Sequence, residues 1–259
     1  MESFTKVAIL AAKKAGLLLK RGLGQKRQVD YKGAVNLVTE MDIISERVIV
    51  SEIRKRYPNH SLLAEEKTRV QENSAYRWII DPLDGTTNYA HGFPIFSVSI
   101  ALEKQGEVIL GVVYDPTREE LFVAKKEKGA RLNGRSIHVS STPALSKSLL
   151  ATGFPYDLRE SPVDNFDHFR NFALRVHAVR RPGSAALDLC YVAAGRFDGF
   201  WEMRLGPWDF AAGSLMVREA GGEITDFLGK RLDLDGKHVL ASNGKIHREM
   251  IKVLKMGRF

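Results

Sequence analysis

The segment Asp81–Thr87 (DPLDGTT) places two carboxylates directly after an apolar run, and it limits the possible folds more than any other feature. The preceding apolar residues predict a short strand that ends at Asp81. Pro82 fixes the backbone between the two carboxylates, and Gly85 permits the close approach of another group. Acidic side chains where a strand gives way to a turn lie at a sheet edge, where they face open space.

Cation and phosphate binding is the chemistry available to this segment. Mg²⁺ prefers oxygen ligands, one or two of them carboxylates, and the carbonyl of Leu83 could add another. If residues 85–87 open a short helix, their amides would face a phosphate. Asp-Pro and Asp-Gly are also common turn formers, so each dipeptide alone is compatible with a purely structural turn. The combination of both with two threonines is much rarer and favours a site.

Helix and strand patterns surround the segment in an order typical of an α/β protein. Apolar spacing predicts a helix over residues 2–21 and a second from about Thr39, where Thr39-Glu40-Met41-Asp42 resembles a capping box. Period-two alternation then predicts a strand-rich middle. Its strands are expected at residues 96–102, 108–114 and 121–124, with a hairpin at Asn133-Gly134.

The C-terminal half alternates between helix and strand patterns. Helices are expected at residues 163–176, 185–194, 207–219 and 245–255, and strands at 198–203, 223–226 and 239–241. Since no repeat or linker is evident, we expect one compact unit over residues 1–259, with two sheet-based lobes at approximately 1–145 and 146–259. A cleft between such lobes is a usual place for a small ligand.

Composition restricts the class of protein without deciding its function. The 259 residues are 44% hydrophobic and 27% charged, which is ordinary for a globular chain. Lys13 and Lys14 interrupt the first apolar stretch and no long apolar run follows, so we expect a cytoplasmic protein without a membrane segment. The net charge of +8 could indicate nucleic-acid binding, but the basic residues are spread along the chain. Solvated surface or attraction of anionic substrates is the simpler explanation.

Two further acidic positions could join the segment. Glu65 follows an apolar stretch, and Asp209 lies in the first turn of a predicted helix. Either has a structural explanation, because Glu65 could be an exposed loop charge and Asp209 could interact with the helix dipole. Sequence distance alone does not show whether these groups meet.

Two long motifs carry a family resemblance. One is Trp78-Ile79-Ile80-Asp81-Pro82-Leu83-Asp84-Gly85-Thr86-Thr87-Asn88-Tyr89, and the other is Trp208-Asp209-Phe210-Ala211-Ala212-Gly213 followed by Glu219-Ala220-Gly221-Gly222. With them the chain resembles the inositol monophosphatases, which are lithium-sensitive, magnesium-dependent phosphatases, and in particular their bacterial branch. The resemblance covers nearly the whole chain. It implies an α/β (α+β) fold, the layered αβαβα sandwich of the inositol monophosphatase and fructose-1,6-bisphosphatase type, usually as a homodimer.

The resemblance also implies the site residues, position by position. The metal ligands would be Glu65, Asp81, the carbonyl of Leu83, Asp84 and Asp209, holding two or three Mg²⁺. The substrate would contact Leu83, Asp84, Gly85, Thr86, Gly183, Ser184, Ala185, Glu202 and Asp209. Asp42, Thr86 and Asp84 would be catalytic, with Asp42 and Thr86 orienting the attacking water, although a capping box also gives Asp42 a structural role. Lys32 would flank the site, and the reaction would be in-line displacement by metal-activated water without a phosphoenzyme.

The leaving group is the open question, because selectivity depends on what surrounds it. The default substrate is myo-inositol 1-phosphate. Fructose 1,6-bisphosphate is an alternative, since Arg180 or Arg181 could reach a second phosphate unless these arginines form only surface ion pairs. Histidinol phosphate and a nucleotide 3′-phosphate are further alternatives. A function of another class is binding, since some bacterial relatives associate with RNA polymerase during ribosomal RNA synthesis, alongside or instead of phosphatase activity.

Overall fold

The computed structural model describes residues 3–24, 29–31, 37–155, 158 and 164–257, so Lys32 and the side chain of Thr39 lie outside the described part. Within these ranges the helices are α1 (Phe4–Gly22), α2 (Glu40–Arg54), α3 (Thr86–Ala90), α4 (Phe166–Ala173), α5 (Ala185–Ala193), α6 (Pro207–Glu219) and α7 (His247–Leu254). Across the described ranges no helix combines the length and the apolar character needed to cross a membrane.

The larger of two main sheets has eight strands in the order β10-β9-β8-β7-β6-β5-β3-β4. They are β3 (Ser61–Ala64), β4 (Arg69–Val70), β5 (Tyr76–Asp84), β6 (Ser97–Lys104), β7 (Glu107–Asp115), β8 (Glu120–Lys125), β9 (Ala130–Leu132) and β10 (Arg135–Ser136). All neighbours pair antiparallel except β3 and β5, which are parallel. A separate antiparallel pair comprises β1 (Val29–Tyr31) and β2 (Leu37–Thr39).

The smaller sheet has five strands in the order β12-β11-β13-β15-β14. They are β11 (Leu149–Thr152), β12 (Ala178–Arg180), β13 (Gly199–Met203), β14 (Glu223–Thr225) and β15 (His238–Ser242). The strand β11 is parallel to both of its neighbours, and the remaining pairs are antiparallel.

The helices and the two sheets form five layers. Helices α1 and α2 cover one face of the larger sheet, α5 and α6 lie between the sheets, and α4 and α7 pack beside the smaller sheet. Alternation along β5 explains the division of the core, because Trp78 and Ile80 pack towards the α1 and α2 layer and Ile79 packs towards α5 and α6. This is the predicted αβαβα sandwich.

Most predicted elements are confirmed, including α1, α2, α5, α6, the antiparallel strands of the middle and the hairpin at Asn133-Gly134. The helix predicted at residues 163–176 runs from Phe166 to Ala173, because the chain then leaves α4 to form β12, and residue 163 lies outside the described residues. The strand predicted to end at Asp81 continues to Asp84. Strands β3, β4, β11 and β12 were not expected, since each is too short to show a periodic pattern. The division into two lobes near residue 145 stays a prediction.

Candidate active site

Three acidic side chains, those of Asp81, Asp84 and Asp209, converge at one end of the larger sheet. One carboxylate oxygen from each lies within 4.8 Å of the other two. Asp81 and Asp84 are buried, and Asp209 is partly buried. Because like charges in a buried site repel one another, this arrangement needs protons or a cation to offset the charge.

An irregularity in β5 brings Asp81 and Asp84 together. In a regular strand, residues three positions apart point to opposite faces. The register with β6 shifts between Asp81 and Asp84, which removes this constraint. Pro82 is tolerated at such a position because no ladder hydrogen bond is needed there. The amide of Leu83 donates to Oδ1 of Asp81 at 3.0 Å and fixes that carboxylate.

Asp84 also connects the segment Asp81–Thr87 to the start of α5, about 100 residues later in the chain. Its Oδ2 accepts hydrogen bonds from the Ser184 hydroxyl at 2.5 Å and from the Ala186 amide at 2.8 Å. The carboxylate thereby satisfies an amide of the first helical turn and lies at the positive end of the helix dipole. The predicted Gly183–Ala185 segment is therefore held beside the acidic group.

Asp209 lies in the first turn of α6, two residues after Pro207 begins the helix. Its Oδ2 accepts the amide of Gly206 at 2.6 Å, so the side chain stabilises the helix start. The structural and metal-binding roles weighed for Asp209 are thus compatible.

Burial raises the pKa values of all three carboxyl groups. For Asp81 the pKa lies well above its usual value, through burial first and then the charges of Glu65, Asp84 and Asp209. Burial raises the pKa of Asp84 to about 6. The pKa of Asp209 is raised by burial and then by the charge of Asp84. A hard cation would reverse this penalty, and an all-oxygen ligand set is the kind that Mg²⁺ prefers, so the residues fit the implied metal.

Helix α2 brings the predicted water-orienting pair together. The Thr86 hydroxyl lies 2.9 Å from Oδ1 of the buried Asp42. Three residues along the same helix, the Ser45 hydroxyl donates to the carbonyl of Pro82 at 2.7 Å. The sequence reasoning missed Ser45, although residues three apart on a helix share a face and its position after Asp42 could have indicated it.

Gly85 needs the conformational freedom of glycine. Its φ is +96°, and an added Cβ would lie 3.0 Å from the carbonyl oxygen of Ile95 and 3.1 Å from that of Gly183. Asn88 reinforces this close approach, because its amide group donates to the carbonyls of Ile95 and Pro182, each at 2.8 Å. The role of Asn88 was also missed, although the residue lies within the first motif.

Glu65 lies near the three carboxylates without belonging to their 4.8 Å group. It follows β3, is partly buried, and its amide donates to the carbonyl of Ile80 at 3.1 Å. That bond places it beside Asp81, whose pKa its charge raises.

A cavity of about 300 Å³ borders the acidic group. It is lined by the predicted residues Asp84, Gly183, Ser184, Ala185, Glu202 and Asp209, and also by residues that were not predicted, among them Phe154, Met203, Arg204 and Leu205. This volume is at the lower end of the range for ligand sites, so a small ligand fits best.

Glu202 lines this cavity and can bond a ligand there. Burial, followed by the charge of Asp84, raises the pKa of Glu202 to about 8, and Arg181 opposes the shift. At neutral pH a protonated carboxyl can both donate hydrogen bonds to sugar hydroxyls and accept them.

The two arginines differ in their position. Arg181 lines the cavity, whereas Arg180 is exposed on β12, donates to the carbonyl of Val179 and is not among the lining residues.

Comparison with known proteins agrees with this geometry. A model of the inositol monophosphatase family matches residues 1–256. Nus factor SuhB of Pseudomonas aeruginosa is 42% identical, over 98% of this chain and 97% of its own length. Inositol-1-monophosphatase of Mesorhizobium japonicum is 44% identical, over 96% and 95% of the two chains. The crystal structure of extragenic suppressor protein SuhB from Bartonella henselae has a TM-score of 0.94 and 43% identity, covering 99% of this chain and 100% of that one. The chain therefore belongs to the inositol monophosphatase family, whose fold is that of a magnesium-dependent phosphatase.

Proposed function

We propose that this chain hydrolyses myo-inositol 1-phosphate to myo-inositol and phosphate. The observation that carries the proposal is the contact between two features: a group of three carboxylates suited to Mg²⁺, and a cavity of about 300 Å³ that holds Glu202. A phosphate beside the carboxylates would place a cyclitol ring within the cavity, where Glu202 can bond its hydroxyls. The cavity size favours a small phosphate monoester over a larger one.

Asp81, Asp84, Asp209 and the carbonyl of Leu83 are the proposed metal ligands, with Glu65 beside them and two or three ions per site. When bound, Mg²⁺ supplies charge stabilisation to the phosphoryl group and activates water. Each of these residues offers an oxygen atom, and those of Asp81 and Asp84 are held by hydrogen bonds from the Leu83 amide and from Ser184.

Asp42 and Thr86 are the proposed pair that orients the attacking water. When the Thr86 hydroxyl donates its proton to Asp42, its oxygen keeps lone pairs that can accept a hydrogen bond from water. Gly85 and Thr86, at the start of α3, are proposed to contact the phosphate together with Gly183, Ser184 and Ala185. In this proposal, these residues position both the water and the phosphate.

A panel of four substrates tests the proposal: myo-inositol 1-phosphate, fructose 1,6-bisphosphate, histidinol phosphate and a nucleotide 3′-phosphate. Phosphate release is measured with and without Mg²⁺, and kcat/KM values are compared. We expect the inositol ester to be the best substrate and Li⁺ to inhibit at modest Mg²⁺. A kcat/KM at least tenfold higher for another ester would reject myo-inositol 1-phosphate as the substrate. Absence of Mg²⁺-dependent hydrolysis of all four esters would reject the enzymatic function.

A second activity, towards fructose 1,6-bisphosphate, has support from Arg181, because a guanidinium at the cavity wall can bind a second phosphate. The variant Arg181→Gln should then lower kcat/KM for the bisphosphate and leave that for the inositol ester within about threefold. Arg180→Gln is a matched control, since Arg180 does not line the cavity. Equal effects of both variants on the bisphosphate would contradict this role.

An association with the transcription machinery has support from a different observation, the similarity to proteins named Nus factor SuhB. RNA polymerase should then co-purify with the tagged chain and remain bound at moderate salt. Loss of the complex between low and physiological salt would indicate nonspecific charge attraction by this basic protein.

The homodimer that is usual in the family is also proposed, and its mass in solution is measurable by light scattering.

A further inference from the structure

The carboxylate of Glu46 on α2 accepts an unusual number of hydrogen bonds from one short turn. Glu46 is only 3% exposed. Its Oε2 accepts the amides of Glu66 at 3.0 Å and Lys67 at 3.3 Å. Its Oε1 accepts the amides of Lys67 at 3.2 Å and Thr68 at 2.9 Å, and the Thr68 hydroxyl at 2.7 Å. Three consecutive amides and one hydroxyl therefore converge on a single buried side chain.

The amides of this turn form a concave anion-binding site, and the carboxylate of Glu46 is the anion that occupies it. Successive N–H groups of a turn form such a site for carboxylate or phosphate. The turn is also closed by its own backbone, since the Ala64 amide donates to the carbonyl of Thr68 at 2.8 Å. A carboxylate that accepts several amides holds them more strongly than a neutral acceptor would.

The turn that Glu46 holds begins at Glu65. The amide of Glu65 is bonded to Ile80 on β5, and the next three amides are bonded to Glu46. The side chain of Glu65 therefore leaves a backbone that is fixed on both sides, close enough to Asp81 for its charge to raise the pKa of that residue.

Helix α2 supports three separate parts of the site from one face. Asp42, Ser45 and Glu46 follow the i, i+3, i+4 spacing that places side chains on the same side of a helix. They contact Thr86, the carbonyl of Pro82 and the turn after Glu65, respectively. Glu46 thus stands in the same relation to the Glu65 turn as Asp42 does to Thr86.

We propose that Glu46 is a positioning residue for Glu65, which fixes the turn at residues 65–68 so that the Glu65 carboxylate reaches the metal bound by Asp81. The proposal rests on the proposed function, in which Glu65 is a metal ligand. Glu46 itself contacts no substrate or metal and acts through the turn.

The variant Glu46→Gln tests this at nearly constant volume. A glutamine retains one acceptor oxygen and presents an NH₂ group to amide donors at the other position, so either orientation loses bonds to the turn. Binding of Mn²⁺, used as the probe, is measured by titration calorimetry on the full chain without substrate. The proteins compared are the wild type, Glu46→Gln, Glu65→Gln and the double variant. Residues that orient metal ligands typically change metal affinity by about 10-fold to 100-fold, and we expect about 10-fold weaker binding for Glu46→Gln.

The double variant separates positioning from a general effect on the fold. If Glu46 acts through Glu65, its substitution should weaken Mn²⁺ binding by less than about twofold when Glu65 is already glutamine, since residues in one network are not additive. Independent, multiplying effects would overturn the proposal, as would an unchanged affinity of Glu46→Gln. Unchanged affinity of Glu65→Gln would reject Glu65 as a ligand and the inference with it. Coupled metal binding without hydrolysis of any phosphate ester would reject the proposed function alone.

Two further variants complete the test: one can replace Glu46→Gln if that variant does not fold, and the other is a control. Thr68→Val removes only the hydroxyl donor to Glu46 and should weaken Mn²⁺ binding by a smaller factor, in the same coupled manner. If Glu46→Gln does not fold, this variant carries the test, and an unchanged Mn²⁺ affinity for it would then overturn the proposal. Glu52→Gln is the matched control on α2, because Glu52 pairs with Lys14 and Lys55 rather than with the site. It should retain the wild-type affinity.

Discussion

The Thr86 hydroxyl oxygen lies 2.9 Å from Oδ1 of Asp42 and 3.0 Å from the carbonyl oxygen of Leu83. A hydroxyl has one proton, so it donates to one of these acceptors at a time or is shared between them. If the Leu83 carbonyl is a metal ligand, the cation draws electron density from that oxygen and makes it a weaker acceptor, so the hydroxyl proton favours Asp42. The oxygen of Thr86 then has a defined orientation towards water.

Asp42→Asn should therefore lower kcat by about 100-fold or more, the usual size of an acid–base or water-orienting contribution. An asparagine can turn its NH₂ group towards Thr86 and reverse the hydrogen bond, which misdirects the hydroxyl. Phosphate release at saturating Mg²⁺ measures the effect. The control is Glu40→Gln, an exposed carboxylate in the same helical turn, which should stay near wild type. A rate for Asp42→Asn within threefold of wild type would contradict the role.

Asp84→Asn should lower the rate by hundreds of fold, on the order of 3 kcal/mol or more, because it removes the charge of a proposed metal ligand while keeping the side-chain shape. The asparagine oxygen can still accept the hydrogen bonds from Ser184 and Ala186, so the start of α5 should stay in place. Circular dichroism checks the fold, and the rise in Tm on adding Mg²⁺ should shrink. A near-normal rate with an intact fold would reject Asp84 as a ligand.

The sequence predicts this site to different degrees, according to how far apart the partners lie. Asp81 and Asp84 lie three residues apart in one short segment, so local pattern was enough to bring them together. The contact of Asp84 with Ser184 and Ala186 depends on how α5 packs between the sheets, which no local periodicity encodes. The same applies to Glu46, which reads as one more polar residue of an amphipathic helix until the turn at residues 66–68 is placed against it.

The parallel strand β11 shows why part of the fold was missed. Leu150, Ala151 and Thr152 are all buried, because β11 lies between β12 and β13 and has helices on either side. A central strand of this kind lacks the alternation of polar and apolar residues by which half-buried strands are recognised. The antiparallel strands β6 and β7 are long enough to be found from composition and alternation.

Gly111→Ala should destabilise the protein by about 1–3 kcal/mol, the usual cost of overpacking a core. An added Cβ on Gly111 of β7 would lie 2.7 Å from the carbonyl oxygen of Ala212 and 3.0 Å from its Cα, so the backbone of α6 must move. Since Asp209 lies in the first turn of that helix, Mn²⁺ affinity should fall together with Tm. Denaturant titration and calorimetry measure the two effects, and an unchanged Tm would show that α6 is not seated this closely.

His247, the first residue of α7, should make stability dependent on pH because it is buried where α7 packs against the smaller sheet. Its ring lies 2.9 Å from the hydroxyls of both Thr225 and Ser242. Thr225 donates its own proton to the carbonyl of Asp226, so its oxygen accepts from Nε2–H, and Nδ1 is left to accept from Ser242. Burial lowers the pKa of His247, and the nearby Glu223 only partly opposes this.

The sign of the effect follows from proton binding in the two states. In the unfolded chain a histidine titrates at about 6.5, so just below that pH the unfolded state binds more protons than the folded state. The free energy of unfolding should therefore fall as pH is lowered through 6.5, by at most about 1.4 kcal/mol per pH unit for one proton. His247→Gln should be less stable than wild type at pH 8 and should lose part of this slope between pH 6.5 and 5. Urea titrations in EDTA measure the free energy of unfolding of both proteins at each pH. The difference between the two values isolates His247, because the carboxyls of the candidate site titrate in both proteins. If the two plots of unfolding free energy against pH are parallel, the assignment is contradicted.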